Sequence, residues 1–203
     1  MIEVNEKEYI EKAKNVCVDL KAKSYNQEST LSDNTKLVIV GTLTPPNTKY
    51  FYCSYQNRIY GYIDAALEKL DLIGDKKLKD LKIGLSYYQS KRKTIEILQK
   101  EDEINKRVQN IKKILSNNGI AFLDVIDKAI RRINTSLDKD IEYYTLATED
   151  FEKLKESGIT IIANSRDAEK CAKKMMGEDR VRYLSQRCDT KETWIKAICD
   201  AIK

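Results

Sequence analysis

Four neutral polar side chains stand where this chain could do chemistry. Thr42 and Thr44 follow the apolar run Leu37 to Val40 and Gly41, Asn57 precedes a helical pattern, and Asn164 follows the apolar run Ile159 to Ala163. A side-chain amide offers a donor and an acceptor together, so it can read the edge of a ligand without titrating. Asparagine is also among the best helix N-caps, and both amides lie where a helix begins. A threonine hydroxyl orients a water but takes no proton at neutral pH. Asp124 closes a third apolar run and supplies the candidate carboxylate; an aspartate there also serves as a cap or an ion-pair partner. Phe51 and Tyr52 are adjacent rings that can stack on a planar ligand or pack into the core.

Other chemistries are excluded by composition. The chain has no histidine, so no imidazole can act as base, which removes Ser-His-Asp and Cys-His systems. Its five cysteines are odd in number, irregularly spaced and without a CxxC pair. Reduced thiols in a cytoplasmic protein are the simplest account, with no zinc or iron–sulfur site and no cofactor. No GxxxxGK[ST] or GxGxxG phosphate loop is present, which argues against the common nucleotide-processing α/β enzymes. The amino terminus is charged from residue 3 onward and lacks the apolar core of a signal peptide. No run of about 18 apolar residues exists, so no membrane span is expected.

The elements that must position these groups are readable from periodicity. Helical spacing covers Glu6 to Lys23, Arg58 to Leu72, Lys91 to Ser116 and a stretch within Thr145 to Ser157 that Thr148 caps. Ser165 caps a helix through Met176, and Thr190 to Ile202 forms the last. Lys36 to Gly41, Gly119 to Leu123, Ile159 to Ala163 and Arg180 to Leu184 read as short buried strands. Ser24 to Thr35 reads as a loop. Strands alternating with helices imply an α/β fold of three layers, a central four-stranded, mainly parallel sheet flanked by helices. With 203 residues, 41% of them hydrophobic, the expectation is a single domain. It carries an amino-terminal helix at about 5–23 and a basic helical insertion at about 74–116. Between Gly74 and Lys113 twelve basic residues face six acidic ones, more than the whole-chain surplus of +5. Such an excess can attract phosphates, although on charge alone an ordinary lysine-rich helical surface is the better account.

Taken in order, the strand ends form a pattern. The first leads into Gly41-Thr42-Leu43-Thr44-Pro45-Pro46, then Phe51-Tyr52 and Asn57-Arg58. The second gives Gly119-Ile120-Ala121-Phe122-Leu123-Asp124-Val125-Ile126, followed by Asn134-Thr135-Ser136-Leu137-Asp138. The third ends Ala163-Asn164-Ser165, and the fourth Tyr183-Leu184-Ser185, with Trp194 beyond. This order resembles the uracil-DNA glycosylase superfamily over roughly Leu37 to Ile202, closest to its hypoxanthine (deoxyinosine)-DNA glycosylase type. The chain departs from that type at Ser54 and Tyr55, where a His-Pro pair is usual, and at Ile59-Tyr60, where Phe-Trp is usual. It departs again at Ser165 in place of glycine and over Leu184 to Asp189.

The resemblance implies a monofunctional, metal-independent DNA glycosylase. It would hydrolyse the N-glycosidic bond of a deaminated base, hypoxanthine or uracil, flipped out of DNA. It assigns Asn57, Thr42, Thr44 and Asp124 to catalysis, and Asn164, Tyr52 and Phe51 to holding the base. It assigns Ser136, Ser185, Arg187 and Arg58 to the DNA strand. The expected state is a monomer. Monofunctional chemistry is expected because the sequence singles out no lysine as a Schiff-base nucleophile. The departures favour an alternative, a catalytically weak or inactive module of the same fold that binds DNA or a modified base.

Overall fold

The structure is a computed structural model that describes residues 1–14, 23–25, 31–44, 50–51, 57–82, 101–131 and 138–203. Two sheets organise it. The first contains strands β3 (Leu37–Gly41), β4 (Ile120–Asp124), β7 (Thr160–Ala163) and β8 (Val181–Tyr183), in the order β4-β3-β7-β8 with every pairing parallel. These are the four strands that the apolar runs predict, and the α/β class follows from them. All five residues of β3 and all five of β4 are buried, as strands covered on both faces must be.

Side chains alternate across this sheet. Leu37, Ile39 and Phe122 face one way and pack against α2 (Ile59–Lys69), α3 (Glu101–Asn117) and α6 (Lys191–Ile202), through Ile63, Leu67, Ile111, Leu115, Trp194 and Ile198. Val38, Val40, Ala121 and Leu123 face the other way. They meet Phe151 and Leu154 of α4 (Thr148–Lys155) and Ala168 and Ala172 of α5 (Arg166–Met176). The apolar stripe of each helix therefore has a sheet face to cover, which gives the three layers.

A second sheet lies beyond the reach of the sequence patterns. It has the order β1-β6-β5-β2 and comprises β1 (Ile2–Glu3), β2 (Lys23–Tyr25), β5 (Ile126–Arg131) and β6 (Ile141–Leu146). β5 pairs antiparallel with β6 and with β2, whereas β1 joins β6 in parallel. The chain crosses between the sheets at Val125. The Val125 N–H donates to the Gly41 carbonyl at 2.9 Å and the Ile126 N–H to the Thr42 carbonyl at 3.1 Å. Ile126, Ala129, Ile141 and Tyr144 then join the core on the α4–α5 side.

Several boundaries shift. The first helix, α1, runs Glu6–Lys14, with residues 15–22 outside the described set. Thr145 belongs to β6, and Thr148 is the first residue of α4 rather than its cap, which is Ala147 without a side-chain bond. Lys23 to Tyr25 is strand β2, in part of what reads as a loop. Ser165 caps α5 as expected, and Thr190, expected as the first residue of α6, is its cap; their hydroxyls accept from the N–H of Ala168 and of Thr193.

Gly119 turns α3 into β4 with φ +65°, and its carbonyl accepts from the N–H of Lys36 at 2.8 Å and of Leu37 at 3.0 Å. A Cβ there would meet the Asn34 carbonyl oxygen at 2.8 Å. Gly119→Ala combines a left-handed backbone with that collision, so it should lose more than about 1–2 kcal/mol. Urea unfolding checks this; an unchanged midpoint would show that the turn relaxes freely.

Candidate functional site

The carboxyl ends of β4, β3, β7 and β8 lie side by side, where ligands bind in open parallel sheets. Each end contributes a polar group. β3 runs into Thr42 and Thr44, both buried. The Thr44 N–H donates to a carboxylate oxygen of Asp124 at 2.6 Å, and Asp124 is only 2% exposed. A buried carboxylate at the end of β4 thus braces the first turn of the β3 loop. The Thr42 hydroxyl shares a hydrogen bond of 2.9 Å with the Ser165 hydroxyl, which also accepts from the Ala168 N–H at 3.1 Å. This ties the β3 loop to the β7 end.

Asn164 sits at that end. Its N–H donates to the Val40 carbonyl at 3.0 Å, extending the β3–β7 ladder by one rung. Its side chain is half-buried, and its Oδ1 is enclosed yet accepts no hydrogen bond among the described residues. Enclosed polar atoms are nearly always paired in folded proteins, so an orphan calls for a reason. A capping bond would have supplied one, but the cap of α5 is Ser165. The amide is therefore not spent on local structure.

Asn57 is partly spent. Its Oδ1 accepts from the Ile59 N–H at 2.9 Å and so starts α2, whose formal cap residue Arg58 makes no side-chain cap bond. The Arg58 N–H donates to the Gln186 Oε1 at 3.3 Å, which links the start of α2 to the loop after β8. That loop is built by Ser185. Its hydroxyl accepts from the N–H groups of Arg187 and Cys188, both at 3.1 Å, and its carbonyl from the Trp194 indole N–H at 3.1 Å. The Ser185 N–H donates to Asp189 Oδ2 at 2.6 Å. Ser185 is therefore a buried turn-former, while Arg187 and Arg58 are exposed and make no ion pair among the described residues.

Phe51 takes the packing role available to one ring of its pair. It is 1% exposed, edge-on to Tyr50 at 5.3 Å and tilted against Phe122 at 6.1 Å, and its carbonyl accepts from the Tyr60 hydroxyl at 2.6 Å. This is the core packing open to one ring of the pair. Tyr52 and Ser136, together with Pro45, Pro46, Cys17 and Cys53, lie outside the described residues. Among the described residues no hydrogen bond joins Asn57 to Asn164.

Two groups have no sequence signature beyond their type. Arg166 lies 3.9 Å over the Tyr183 ring at the β7–β8 end and bonds Glu169 at 2.8 Å. Lys82 reaches the main chain of Asn57. Asp64, buried in α2, accepts from the N–H of Leu78 at 2.8 Å and of Lys79 at 2.9 Å, capping a 3-10 turn at Leu78–Leu81. The chain then delivers Lys82, whose Nζ donates to the Asn57 carbonyl. Burial pushes the Asp64 carboxyl above its ordinary range, against the pull of those two backbone N–H groups. Burial likewise pushes the Lys82 amine down, and the Asp64 charge pulls it partly back.

Among the described residues no helix is long and apolar enough to cross a membrane. A solved structure shares this fold. It is the solution NMR structure of a protein from Methanosarcina acetivorans described as a "putative Uracil DNA glycosylase", with TM-score 0.55 and 17% identity over 89% of this chain and 99% of that one. A match of that extent at that identity establishes a common fold. No protein-family profile matches the chain, and no curated protein does.

Asp64 gives a test of the scaffold under the site. Its raised folded-state pKa means that the folded protein binds this proton more tightly than the unfolded chain does. Its contribution to stability is therefore full below the unfolded value, near 3.8, and is lost as pH rises through the folded value. Asp64→Asn cannot titrate and turns an NH2 toward one of the two backbone N–H groups. The variant should be the less stable by roughly 1–3 kcal/mol at the acid end, with the gap narrowing as pH rises. Urea midpoints for both proteins across that range decide it, and a gap that widens with pH would contradict the assignment.

Proposed function

We propose that the protein is a DNA glycosylase that hydrolyses the N-glycosidic bond of a deaminated base, hypoxanthine or uracil. The observation that carries this reading is the Asn164 amide. It is an enclosed acceptor with no internal partner among the described residues, at the carboxyl end of a central parallel strand, in a fold shared with a protein described as a uracil DNA glycosylase. An amide in this position suits the hydrogen-bonding edge of a flipped base. Of the sequence motifs that resemble the superfamily, Thr42 to Thr44, Asp124, Asn164 and Leu184-Ser185 lie at or just past the ends of the four parallel strands, which supports the same reading.

In this reading Asn164 holds the base. Asn57, its Oδ1 fixed by the Ile59 N–H, presents its NH2 group to the departing base and stabilises the charge that develops there. Thr42 and Thr44 line the loop where the attacking water is held, and Asp124 keeps that loop in place through the Thr44 N–H. Exposed Arg58 and Arg187, on either side of Gln186, meet the phosphate backbone. Ser136 belongs to the same strand contact and Tyr52 to the stacking face. The chain acts as a single unit on DNA, as a monomer, without metal or cofactor.

A second reading has its own support. The Thr42 hydroxyl is already bonded to Ser165, and Asp124 to the Thr44 N–H, so the groups nearest the expected water are engaged in bracing the loop. A module that binds DNA or a modified base without cleaving it needs no more than this.

Excision from short oligonucleotides carrying uracil, hypoxanthine or xanthine, single- and double-stranded, separates the two. A glycosylase releases one of these bases, and Asn57→Ala or Asn164→Ala lowers the rate by about 100-fold or more, the usual cost of removing a group that stabilises the transition state. DNA binding that weakens with salt, with no excision from any substrate, assigns the binding module. Exchanging Arg58 and Arg187 for alanine should flatten the dependence of log affinity on log salt by about 1 for each phosphate that is no longer neutralised. An unchanged slope places the DNA on another face.

A further inference from the structure

The guanidinium of Arg166 is held in place without being used up. Arg107 and Arg180 spend theirs inside the protein, the first on Glu103 and the Asp80 carbonyl, the second on the carbonyls of Leu154, Lys155 and Ser157. Arg58, Arg182 and Arg187 are exposed, and their guanidinium groups bond nothing among the described residues. Arg166 differs from both sets. Its guanidinium lies 3.9 Å over the Tyr183 ring, and its Nη1 donates to Glu169 at 2.8 Å. The side chain is still 75% exposed, and neither Nε nor Nη2 donates to another group among the described residues. A ring against one face and a carboxylate at one corner fix the plane of the group, and its Nε–Nη2 edge stays open.

The sheet sets where this group stands. Tyr183 is the last residue of β8 and is in register with Ala163, the residue before Asn164. Arg166 opens α5 two residues past Asn164. Alternation along β8 puts Tyr183 on the same face as Val181, the face that α5 covers. The guanidinium therefore stands at the carboxyl end of the sheet, on its α5 side. The loop after β8 is close by. The bond to Glu169 raises the Arg166 pKa most, and the charge of Asp189, in that loop, raises it as well. The same loop carries Arg187, and its Gln186 accepts from the Arg58 N–H. Because α2 and α5 cover opposite faces of the sheet, Arg58 and Arg166 approach this loop from opposite sides.

We propose that the open edge of Arg166 binds a phosphodiester of the DNA strand, next to the nucleotide whose base Asn164 holds. This rests on the reading of the site as one that takes a nucleotide from DNA. The edge offers two parallel N–H donors, which match two oxygens of one phosphate. Tyr183 and Glu169 fix the plane of the group in advance, so less freedom is lost when the phosphate arrives. Glu169 orients the cation without withdrawing it, because an exposed ion pair contributes little and this one uses only Nη1. With Arg58 on the α2 side, Arg187 in the loop and Arg166 on the α5 side, the strand crosses the end of the sheet from one face to the other.

The test uses the full chain and a fluorescent oligonucleotide with one reduced abasic site, a target with no base to lose. Anisotropy titrations over a range of salt give the slope of log affinity against log salt. Arg166→Ala should flatten that slope by about 1, and Arg166→Gln, which keeps a donor for Glu169, should do the same. Lys170→Ala removes an exposed cation from the same helix and should leave the slope as in the parent. A second series replaces one phosphodiester at a time by a neutral methylphosphonate. One linkage should weaken the parent and leave Arg166→Ala unaffected, an effect that a merely structural arginine would not produce. An unchanged slope in the Arg166 variants overturns the proposal. So does a flattening matched by Lys170→Ala, or the absence of any linkage that separates parent from variant. Base excision by a parent whose Arg166 variants bind DNA as it does removes this contact and keeps the glycosylase. A separating linkage without excision of any base keeps the contact and removes the glycosylase, and no binding to DNA removes both.

Discussion

Everything at the site depends on β3 being paired along both edges. Leu37 to Val40 are in register with Ile120 to Leu123 on one side and with Thr160 to Ala163 on the other. A strand in that position has no edge to leave unsatisfied and no face to leave wet, so it must be short, apolar on both faces and straight. Its two ladders end within a residue of each other. The chain leaving it at Thr42 is thus beside the chain leaving β4 at Asp124 and the chain leaving β7 at Asn164. The hydrogen bonds from Thr44 to Asp124 and from Thr42 to Ser165 are consequences of that shared ending.

Around this fixed centre the polar groups divide into two kinds. Asp124, Ser165, Ser185, Asp64 and the Oδ1 of Asn57 are consumed by backbone N–H groups that loops and helix starts would otherwise leave orphaned. They cost solvation when buried and recover it through charged or well-aligned hydrogen bonds. The Asn164 side-chain carbonyl and the Arg58 and Arg187 guanidinium groups are not consumed in this way among the described residues. A functional reading belongs with the second kind, because a group that satisfies nothing inside the protein remains available to something outside it.

Much of the fold is legible in the sequence because the central strands are uninterrupted apolar runs between helices of clear period. The helix after Ser165 and that after Thr190 are equally plain, since a hydroxyl precedes each apolar stripe. The second sheet is not legible. β1 has two residues and β2 three, too few for any period to show. β5 and β6 are longer, but register shifts at Ile126/Lys128 and Ile130/Arg131 break the alternation on which strand recognition relies. Only Val125 separates the end of β4 from the start of β5, so one apolar stretch conceals a change of sheet.

For the site, the sequence by itself determined which chemistries are open. Without histidine and without clustered cysteines, the work falls to amides, hydroxyls, carboxylates and amines. It also placed Thr42, Asp124, Asn164 and Ser185 at strand ends, because a strand end is marked by the point where an apolar run stops. What each does there was decided only by the tertiary structure. Asn57 and Asn164 look alike in sequence, each before a helix, yet one caps its helix and the other leaves that task to Ser165. Phe51, and the carbonyl that the Lys82 amine meets, are the same case. Whether a ring is enclosed, or which carbonyl an amine meets, depends on residues distant in the chain, and local sequence carries no record of where those residues will lie.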